Sequence, residues 1–435
     1  MIFELAELAV LLRNRRLPLD RLRELQDRKL RAVVRHAYDA VPYYRELFDG
    51  AGLAPGDIRS VDDLRHIPIT TKAAMKAAGL PRLLARGTDL AVCRRTRTSG
   101  TEGSIFDSYH SASEGRTRRL LGFRQLREAG YGPRDRLAVF GQAFRPAPRV
   151  HHRLGLFRTS YVSVSQPLPE YLSLLREVRP TLLRAWPTIL RMLRPEWSGR
   201  LLDAAQPRAV FTSSEVCPAS IREWIRSGLR AEPFDTYVAT EVGEIAWECR
   251  AHQGLHVNAD HLVVECLNAR DQPCGPDERG SVVVTSLYGR TMPFLRYRLD
   301  DTAAFMAGSC SCGCALPLMR PPAGRVNDLI RLPSGARMPC PRVLFALFNQ
   351  DDIHHLRFIQ DDRDRFRLLL APTGAFSAER LAHFRAVVLE SLGEPVEVEV
   401  QVVDAMPADA GKDRWFVSNL PPVESERSPT RAEVG

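Results

Sequence analysis

Apolar residues recur at three- and four-residue spacings in residues 1–80, which is the period of an amphipathic helix. The pattern predicts a first helix at the N-terminus, a second over residues 19–38, and a short third one that begins behind Pro42. Thr70 and Thr71 predict the N-cap of another helix, because a hydroxyl there accepts a hydrogen bond from a free backbone N–H. The sequence therefore predicts a helical N-terminal region.

From about residue 90 the pattern changes to short apolar runs separated by helical stretches. The runs at residues 137–141, 181–186 and 209–215 do not alternate with polar residues, which is typical of buried central strands. A strand is also predicted at residues 90–93, and β-rich segments follow Glu241. Strands interleaved with helices predict a layered α/β domain.

The segment GRVNDLIRLPSG at residues 324–335 predicts a domain boundary. Beyond it the order is strand, strand, helix, strand and a Gly-Lys loop, the pattern of a compact α+β domain. We therefore expect an α/β protein with a large N-terminal domain of several subdomains, part of it β-rich, over residues 1–325. A small domain follows over residues 326–420, and the polar residues 421–435 are predicted to be a disordered tail.

The charge of the chain narrows the classes of partner. The formal net charge is +9 over 435 residues, but acids are interleaved with the arginines, which indicates solvated faces rather than a nucleic-acid surface. No apolar run is long enough for a membrane span, and the N-terminal segment lacks the pattern of a secretory signal. We expect a cytoplasmic protein that binds neither nucleic acid nor membrane.

A loop rich in small and hydroxyl residues covers residues 96–104. Such a loop lets backbone N–H groups and hydroxyls approach a polyphosphate, although the Gly-Lys-Ser/Thr ending of a Walker loop is absent. By itself such a stretch is more often an ordinary surface loop. The candidate phosphate-binding residues in it are Ser99, Gly100, Thr101 and Gly103.

Three later positions carry groups suited to a nucleotide. A hydroxyl at Thr240 can bind a phosphate oxygen, the adjacent Glu241 can hold Mg²⁺, and a carboxylate near Asp301 can accept ribose hydroxyls. Each is also compatible with a strand end that carries surface polar residues. Lys412 is one of only four lysines in a chain rich in arginine, and it follows Gly411, which favours a specific role.

The order of these pieces resembles the adenylate-forming superfamily from about residue 30 to residue 420. Its phenylacetate–coenzyme A ligase branch, which includes capsule-biosynthesis adenylating proteins, is the most similar. The segments typical of that branch are VPYYRELFDGAGL, IPITTK, GLHVNADHLVVE, PFLRYR and the Cys-x-Cys-Gly cluster.

The resemblance implies roles for individual residues. Ser99, Gly100, Thr101 and Gly103 would handle the phosphates of ATP, with Thr240 contacting phosphate and Glu241 holding Mg²⁺. Ser214 and Glu215 would lie beside the adenine, on which Tyr237 would stack, and Asp301 and Arg325 would lie at the ribose. Asn327 and Asp328 would mark a hinge, and Lys412 would reach the forming bond from a mobile small domain.

The chain departs from the family pattern at Glu102, Ser104, Asp300 and Asn327. None of these changes removes a group that the chemistry requires. The resemblance implies activation of a carboxylic acid by ATP and transfer of the acyl group to coenzyme A. The alternatives are an adenylating ligase whose acceptor is an amine or another small nucleophile, and a degenerate protein that keeps only the fold.

The acid pocket is predicted between the apolar strands, at Phe140, Gly141 and Trp186. Its aromatic content favours an aryl or aryl-acetic acid. Phe140 and Trp186 are equally compatible with core positions. A homodimer through exposed N-terminal helices is a further possibility that the sequence leaves open.

Six of the nine cysteines lie between residues 249 and 314, which favours a metal or free thiols over disulfides. We predict a zinc site with four protein ligands. Such a site is structural, because it has no open position for water. The predicted ligands are Cys249, His256, Cys310 and Cys312, with Cys314 or His252 as substitutes. Reduced, partly buried thiols are the alternative.

Overall fold

The computed structural model describes residues 2–97, 106–141, 154–163, 168–194, 197, 205–322, 329–340, 343, 347, 353–372, 376–404, 406 and 416–421. The chain divides into two compact units, Met1–Ala323 and Gly324–Gly435. Among the described residues, no helix combines the length and the apolar character that crossing a bilayer requires.

The first unit begins with helices, as the 3.6-residue periodicity predicted. Its α-helices are α1 (Ile2–Asn14), α2 (Leu19–Ala40), α3 (Pro42–Gly50), α4 (Lys72–Ala78), α5 (Leu80–Leu83), α6 (Ala112–Leu126), α7 (Leu168–Val178), α8 (Pro187–Leu193) and α9 (Ala219–Ser227). The Thr71 side chain accepts a hydrogen bond from the Ala74 N–H at the start of α4, which confirms a threonine cap there.

The strands of the first unit are β1 (Arg94–Arg97), β2 (Asp107–His110), β3 (Arg136–Gly141), β4 (Arg158–Ser163), β5 (Leu182–Ala185), β6 (Ala209–Ser213), β7 (Glu232–Ala239), β8 (Gly243–Glu248), β9 (Leu255–Val257), β10 (Leu262–Leu267), β11 (Gly280–Ser286), β12 (Tyr297–Ala303) and β13 (Leu318–Met319). Within the described residues, one sheet has the order β13-β9-β8-β7-β6-β5-β3-β4. Strands β4, β3, β5, β6 and β7 run parallel, and β8, β9 and β13 are antiparallel to their neighbours.

Both faces of the parallel strands are covered by apolar side chains, which explains their unalternating sequences. On one face, Leu183 and Val210 pack in a core with Tyr171 of α7 and Ile221 of α9. On the other face, Leu182 and the stacked pair Phe211–Phe234 pack near the end of α6. The predicted strands at residues 137–141, 181–186 and 209–215 are therefore confirmed to within two residues at their ends.

The start of α6 is held by one buried carboxylate, Glu114. It accepts from the Ser111 N–H in a capping box, and from the N–H (2.9 Å) and hydroxyl (2.6 Å) of Thr291. Because Thr291 lies far along the chain, this contact attaches the helix to the β-rich part of the unit, where β10, β11 and β12 form an antiparallel sheet.

The strand predicted at residues 90–93 is wrong. These residues form a turn, and Val92 is 73% exposed. The strand begins later, at Arg94, because β1 pairs in antiparallel register with β2 and the Thr96 hydroxyl lies 2.7 Å from the Ser108 hydroxyl. The apolar residues of this turn are therefore exposed to solvent and do not pair with another strand.

The second unit has the α+β pattern that the sequence predicted. Its elements are β14 (Leu329–Arg331), β15 (Arg337–Pro339), β16 (Ile353–Gln360), β17 (Arg365–Pro372), α10 (Ala378–Leu392), β18 (Glu397–Val402) and β19 (Phe416–Ser418). The order β18-β17-β16-β19 forms its larger sheet. Phe384 and Val388 of α10 pack on Phe358 and Leu368 of that sheet, which completes a separate apolar core.

Candidate active site

Three predicted site segments follow directly after parallel strands. Trp186 follows β5, Ser214 and Glu215 follow β6, and Thr240 follows β7. Because these strands are parallel, their carboxyl ends lie at one edge of the sheet, which is where α/β sheets bind ligands. Ser214 is exposed and has a left-handed φ of 70°, so the chain turns sharply at this edge.

Thr240 and Glu241 lie in the tight turn between β7 and β8, which we call the Thr240–Glu241 turn. Glu241 is 6% exposed, and the Tyr297 hydroxyl donates to its Oε1 at 3.1 Å. Strand β1, which precedes the predicted phosphate loop, lies beside this turn, since the Thr96 hydroxyl is 3.4 Å from the Thr240 carbonyl oxygen. Strand β1 therefore lies beside a turn that carries both a hydroxyl, on Thr240, and a buried carboxylate, on Glu241.

Arg118 of α6 organises this turn, and the sequence did not single it out. Its Nη1 donates to the Thr240 carbonyl at 2.9 Å, and its Nη2 donates to the Glu241 carbonyl. Gly243 follows with a φ of 77°, and a Cβ there would lie 3.1 Å from the Arg118 Cγ and 3.3 Å from the Tyr288 hydroxyl. The sequence carries no signal for this role, because α6 has three other arginines and only tertiary packing distinguishes them.

Tyr237 of β7 and Asp301 of β12 are joined by a hydrogen bond within the first unit. The Tyr237 hydroxyl donates to the Asp301 Oδ2 at 2.7 Å, which joins the end of β7 to β12. Burial raises the pKa of Tyr237 well above its ordinary value, and the nearby Asp301 charge raises it further, so the phenol stays a donor. The two residues predicted to lie at the adenine and the ribose are therefore neighbours.

The residues predicted to line the acid pocket lie at the carboxyl ends of β3 and β5. Phe140 is 2% exposed and packs edge-on against Tyr171 at 5.5 Å, inside the core of one sheet face. Gly141 is the last residue of β3, and Trp186 is half-buried against the same core. Phe140 is thus in the core position that the sequence left open as an alternative.

Several predicted residues lie outside the described part of the chain. They are Ser99, Gly100, Thr101, Glu102, Gly103 and Ser104 of the predicted phosphate loop, Arg325, Asn327 and Asp328 near the boundary, and Lys412. Their roles remain predictions.

The four predicted zinc ligands come together. The ligand atoms of Cys249, His256, Cys310 and Cys312 all lie within 4.8 Å of one another, and we call these residues the Cys–His cluster. The Cys249 and Cys310 sulfurs are 3.5 Å apart, and the Cys312 sulfur is 3.3 Å from the His256 Nε2. Burial raises the thiol pKa values of Cys249 and Cys312, and burial lowers the pKa of His256 to about 4, which keeps the imidazole neutral.

The two suggested substitute ligands are not in this cluster. His252 has a left-handed φ of 52° that turns its ring to Glu232, at 2.6 Å, and to Glu248, at 2.9 Å, so carboxylates occupy its nitrogens. Cys314 is buried, and its backbone N–H donates to the Cys312 sulfur at 3.4 Å. Among the described residues the thiol of Cys314 is therefore not grouped with the four ligands.

The chain is similar to known proteins in sequence and in fold. No protein-family model matches the chain. It is 27% identical over 323 residues to a phenylacetate-coenzyme A ligase of Thermus thermophilus, with 72% of each chain covered. It is 19% identical over 418 residues to Protein CapK of Staphylococcus aureus, covering 91% of this chain and 89% of that protein.

The fold is that of a solved 2-hydroxyisobutyryl-CoA ligase in complex with an acyl-AMP. The TM-score is 0.75 at 16% identity, with 93% of this chain and 91% of the other covered. The chain therefore has the fold of this solved acid–CoA ligase. In sequence, it is similar to the phenylacetate–coenzyme A ligases.

Proposed function

We propose that the protein joins a carboxylic acid to coenzyme A through an acyl-adenylate, with ATP as the source of AMP. The observation that carries the proposal is the convergence of the Thr240–Glu241 turn with β1 and with the Tyr237–Asp301 pair at one edge of the sheet. The similarity to phenylacetate-coenzyme A ligases supports coenzyme A as the acceptor and an aryl or aryl-acetic acid as the substrate.

In the first half-reaction, an oxygen of the substrate carboxylate attacks the α-phosphorus of ATP. The new O–P bond forms as the bond from the α-phosphorus to the bridging oxygen breaks, and pyrophosphate leaves. The Thr240 hydroxyl would donate to a phosphate oxygen, and the buried Glu241 carboxylate would hold Mg²⁺, which offsets negative charge on the phosphates. The Asp301 carboxylate would accept ribose hydroxyls while the Tyr237 hydroxyl orients it.

In the second half-reaction, the sulfur of coenzyme A attacks the acyl carbon of the adenylate. A thioester bond forms, AMP leaves, and the thiol proton passes to solvent. We propose that Lys412 serves only the first half-reaction, from a mobile second unit, so that its departure opens the site to the thiol.

We also propose that the Cys–His cluster holds a structural Zn²⁺. A tetrahedral zinc ion, with bonds of about 2.0–2.3 Å, places its ligand atoms roughly 3.3–3.8 Å apart, which the observed sulfur and nitrogen separations fit. The His256 Nδ1 lies 3.3 Å from the Leu316 carbonyl oxygen, the partner that orients a metal-bound imidazole. Metal analysis of the purified protein tests this, with about one zinc per chain expected and its absence contradicting the proposal.

The test of the proposed activity is pyrophosphate release with ATP and Mg²⁺ against aryl, aryl-acetic, amino and fatty acids. Each acid is run with and without coenzyme A, and the products are identified by mass spectrometry. Release that depends on one acid, with a thioester formed only when coenzyme A is present, is expected. An amide product from an added amine would mean that the acceptor is an amine rather than coenzyme A. No pyrophosphate release with any acid would refute the activity.

Lys412→Ala tests the assignment of the lysine, and Lys76→Ala, at the exposed end of α4, is the matched control. Loss of one charged donor to the forming bond costs adenylation about 100- to 1,000-fold. Thioester formation from a supplied acyl-adenylate should stay near the wild-type rate. Intact adenylation in Lys412→Ala would remove Lys412 from the mechanism.

A further inference from the structure

An ion pair between two strands is left out of the reaction described above. The Arg184 guanidinium of β5 lies 2.8 Å from the Glu244 Oε1 of β8. Glu244 is 9% exposed, and its second oxygen, Oε2, is buried without a hydrogen-bond partner in the described part of the chain. Buried carboxylate oxygens are normally satisfied, because leaving one without a donor is costly. Among the described residues, this oxygen is therefore an acceptor without a donor.

Helix α6 places this pair next to the Thr240–Glu241 turn. Arg118 and Gly122 are four residues apart, so they lie on one face of α6 about one turn, or 5.4 Å, from each other. Arg118 binds the carbonyls of the turn. A Cβ on Gly122 would lie 3.2 Å from the Glu244 Oε1 and 3.8 Å from the Arg184 Nη1. The ion pair and the Thr240–Glu241 turn thus lie beside neighbouring turns of α6.

Gly122 keeps the helix clear of the pair. Glycine within a helix costs about 0.5–1 kcal/mol relative to alanine, so helix propensity does not favour it here. A methyl group at 3.2 Å would press on the carboxylate oxygen. The backbone of α6 can therefore approach Glu244 and Arg184 with no side chain between them.

We propose that the Arg184–Glu244 pair is the subsite for the far end of the acid, and that the substrate carries an uncharged hydrogen-bond donor there. A hydroxyl or an aromatic amine of the substrate would donate to the Glu244 Oε2. This inference rests on the proposed function, whose acid it narrows.

The charges of Arg184 and Glu244 favour a substrate whose hydrogen-bond donor is uncharged. Arg184 already balances the charge of Glu244 at 2.8 Å. An ammonium group would add an unbalanced cation beside Arg184, and a second carboxylate would face Glu244 at close range. A neutral donor satisfies Oε2 and leaves the charge balance unchanged.

The test compares matched acids that differ only in the donor: phenylacetate with 4-hydroxyphenylacetate, and benzoate with the three aminobenzoates. The measurement is kcat/KM for acid-dependent pyrophosphate release. The wild-type protein should prefer at least one donor-bearing acid over its parent by about 30-fold or more, since sites with a buried hydrogen-bonding group reject analogues that lack its partner. Glu244→Gln should reduce that preference to about threefold or less, because the donor-bearing acid loses its acceptor and the parent acid does not.

Glu248→Gln is the matched control, since it changes a buried carboxylate of the same strand that pairs with Arg222. It should leave the preference ratio at the wild-type value. A purely structural role for Glu244 would lower both acids of a pair equally, and that result would overturn the inference. Equal use of parent and donor-bearing acids by the wild type would also overturn it while leaving the proposed function intact. No release with any acid would refute both.

Discussion

The two ends of strand β8 carry two different chemistries. Before Gly243, the Thr240–Glu241 turn presents a hydroxyl and a carboxylate, which are ligands for phosphate and for a hard cation. After Glu248, Cys249 begins the Cys–His cluster, which presents three thiols and an imidazole. Six strand residues, about 20 Å, separate them.

The contacts that hold the two ends of β8 in place also differ. The turn is held through its backbone by Arg118 and by the Tyr288 hydroxyl, which donates to the Val242 carbonyl at 2.6 Å. In the Cys–His cluster, by contrast, the side chains themselves would be used, since a bound zinc ion would join two segments through them. Four protein ligands leave a zinc ion no position for a substrate. We infer that one end of β8 reacts and the other end stabilises.

The largest loss of adenylation is expected from Glu241→Gln. This variant keeps the shape and an acceptor for the Tyr297 hydroxyl, but it removes the charge proposed to hold Mg²⁺. We expect pyrophosphate release to fall about 100- to 1,000-fold, with little change in melting temperature. Glu278→Gln, at an exposed turn, is the control. Wild-type rates at every Mg²⁺ concentration would contradict the assignment.

The next largest effect is expected from Arg118→Met. It removes two hydrogen bonds to the carbonyls of the turn and leaves the helix otherwise intact. Charged hydrogen bonds of this kind are worth about 1.5–3 kcal/mol, so kcat for adenylation should fall about 10- to 100-fold. Arg118→Lys should recover part of the loss, because an ammonium group can reach one carbonyl.

Arg119→Met, the neighbouring arginine that pairs with Glu4 at the surface, is the matched control. A fall in kcat of equal size in both variants would mean that α6 tolerates no change there, and would remove the specific role of Arg118.

A smaller effect is expected from Tyr237→Phe. The variant deletes the donor to Asp301 and leaves the ring that is predicted to lie by the adenine. Loss of about 1–1.5 kcal/mol predicts a 5- to 10-fold rise in KM for ATP, with kcat nearly unchanged. Tyr38→Phe removes a surface hydroxyl that donates to Asp49 at 2.9 Å and should change nothing. An unchanged KM in Tyr237→Phe would show that Asp301 needs no orientation.

The smallest effect on the reaction is expected at the other end of β8. Cys310→Ser should lose the bound zinc and lower the melting temperature by on the order of 5 °C. Adenylation per folded molecule should stay within about threefold of wild type. Cys274→Ser, a thiol outside the cluster, is the control, and calorimetry with metal analysis provides the measurement. A loss of rate as large as in Glu241→Gln would mean that the two ends are not separate in function.

Local pattern predicted most of the fold because it depends on residues near one another in sequence. Unalternating apolar runs became β3, β5 and β6, since both faces of the parallel strands are covered. The strand predicted at residues 90–93 was wrong, because these apolar residues form a turn at the surface. They have no partner strand, and pairing with β2 decides where β1 begins.

The sequence by itself determined the inventory of chemistry: a hydroxyl beside a carboxylate at positions 240 and 241, soft ligands between residues 249 and 312, and an order of motifs that resembles adenylate-forming enzymes. It also determined which segments form strands and helices, because periodicity is a local property. The four ligands of the Cys–His cluster were predicted from residue type and spacing, and the structure brings them together.

Only the tertiary structure decided which of many similar side chains take part. Four arginines of α6 are alike in sequence, and packing alone sends Arg118 to the turn. His252 contacts two carboxylates instead of joining the Cys–His cluster, and Arg184 pairs with Glu244 across 60 residues. Hydrogen bonds act over about 3 Å, whereas the residues that make them are far apart along the chain, so their pairing is set by how the strands and helices pack.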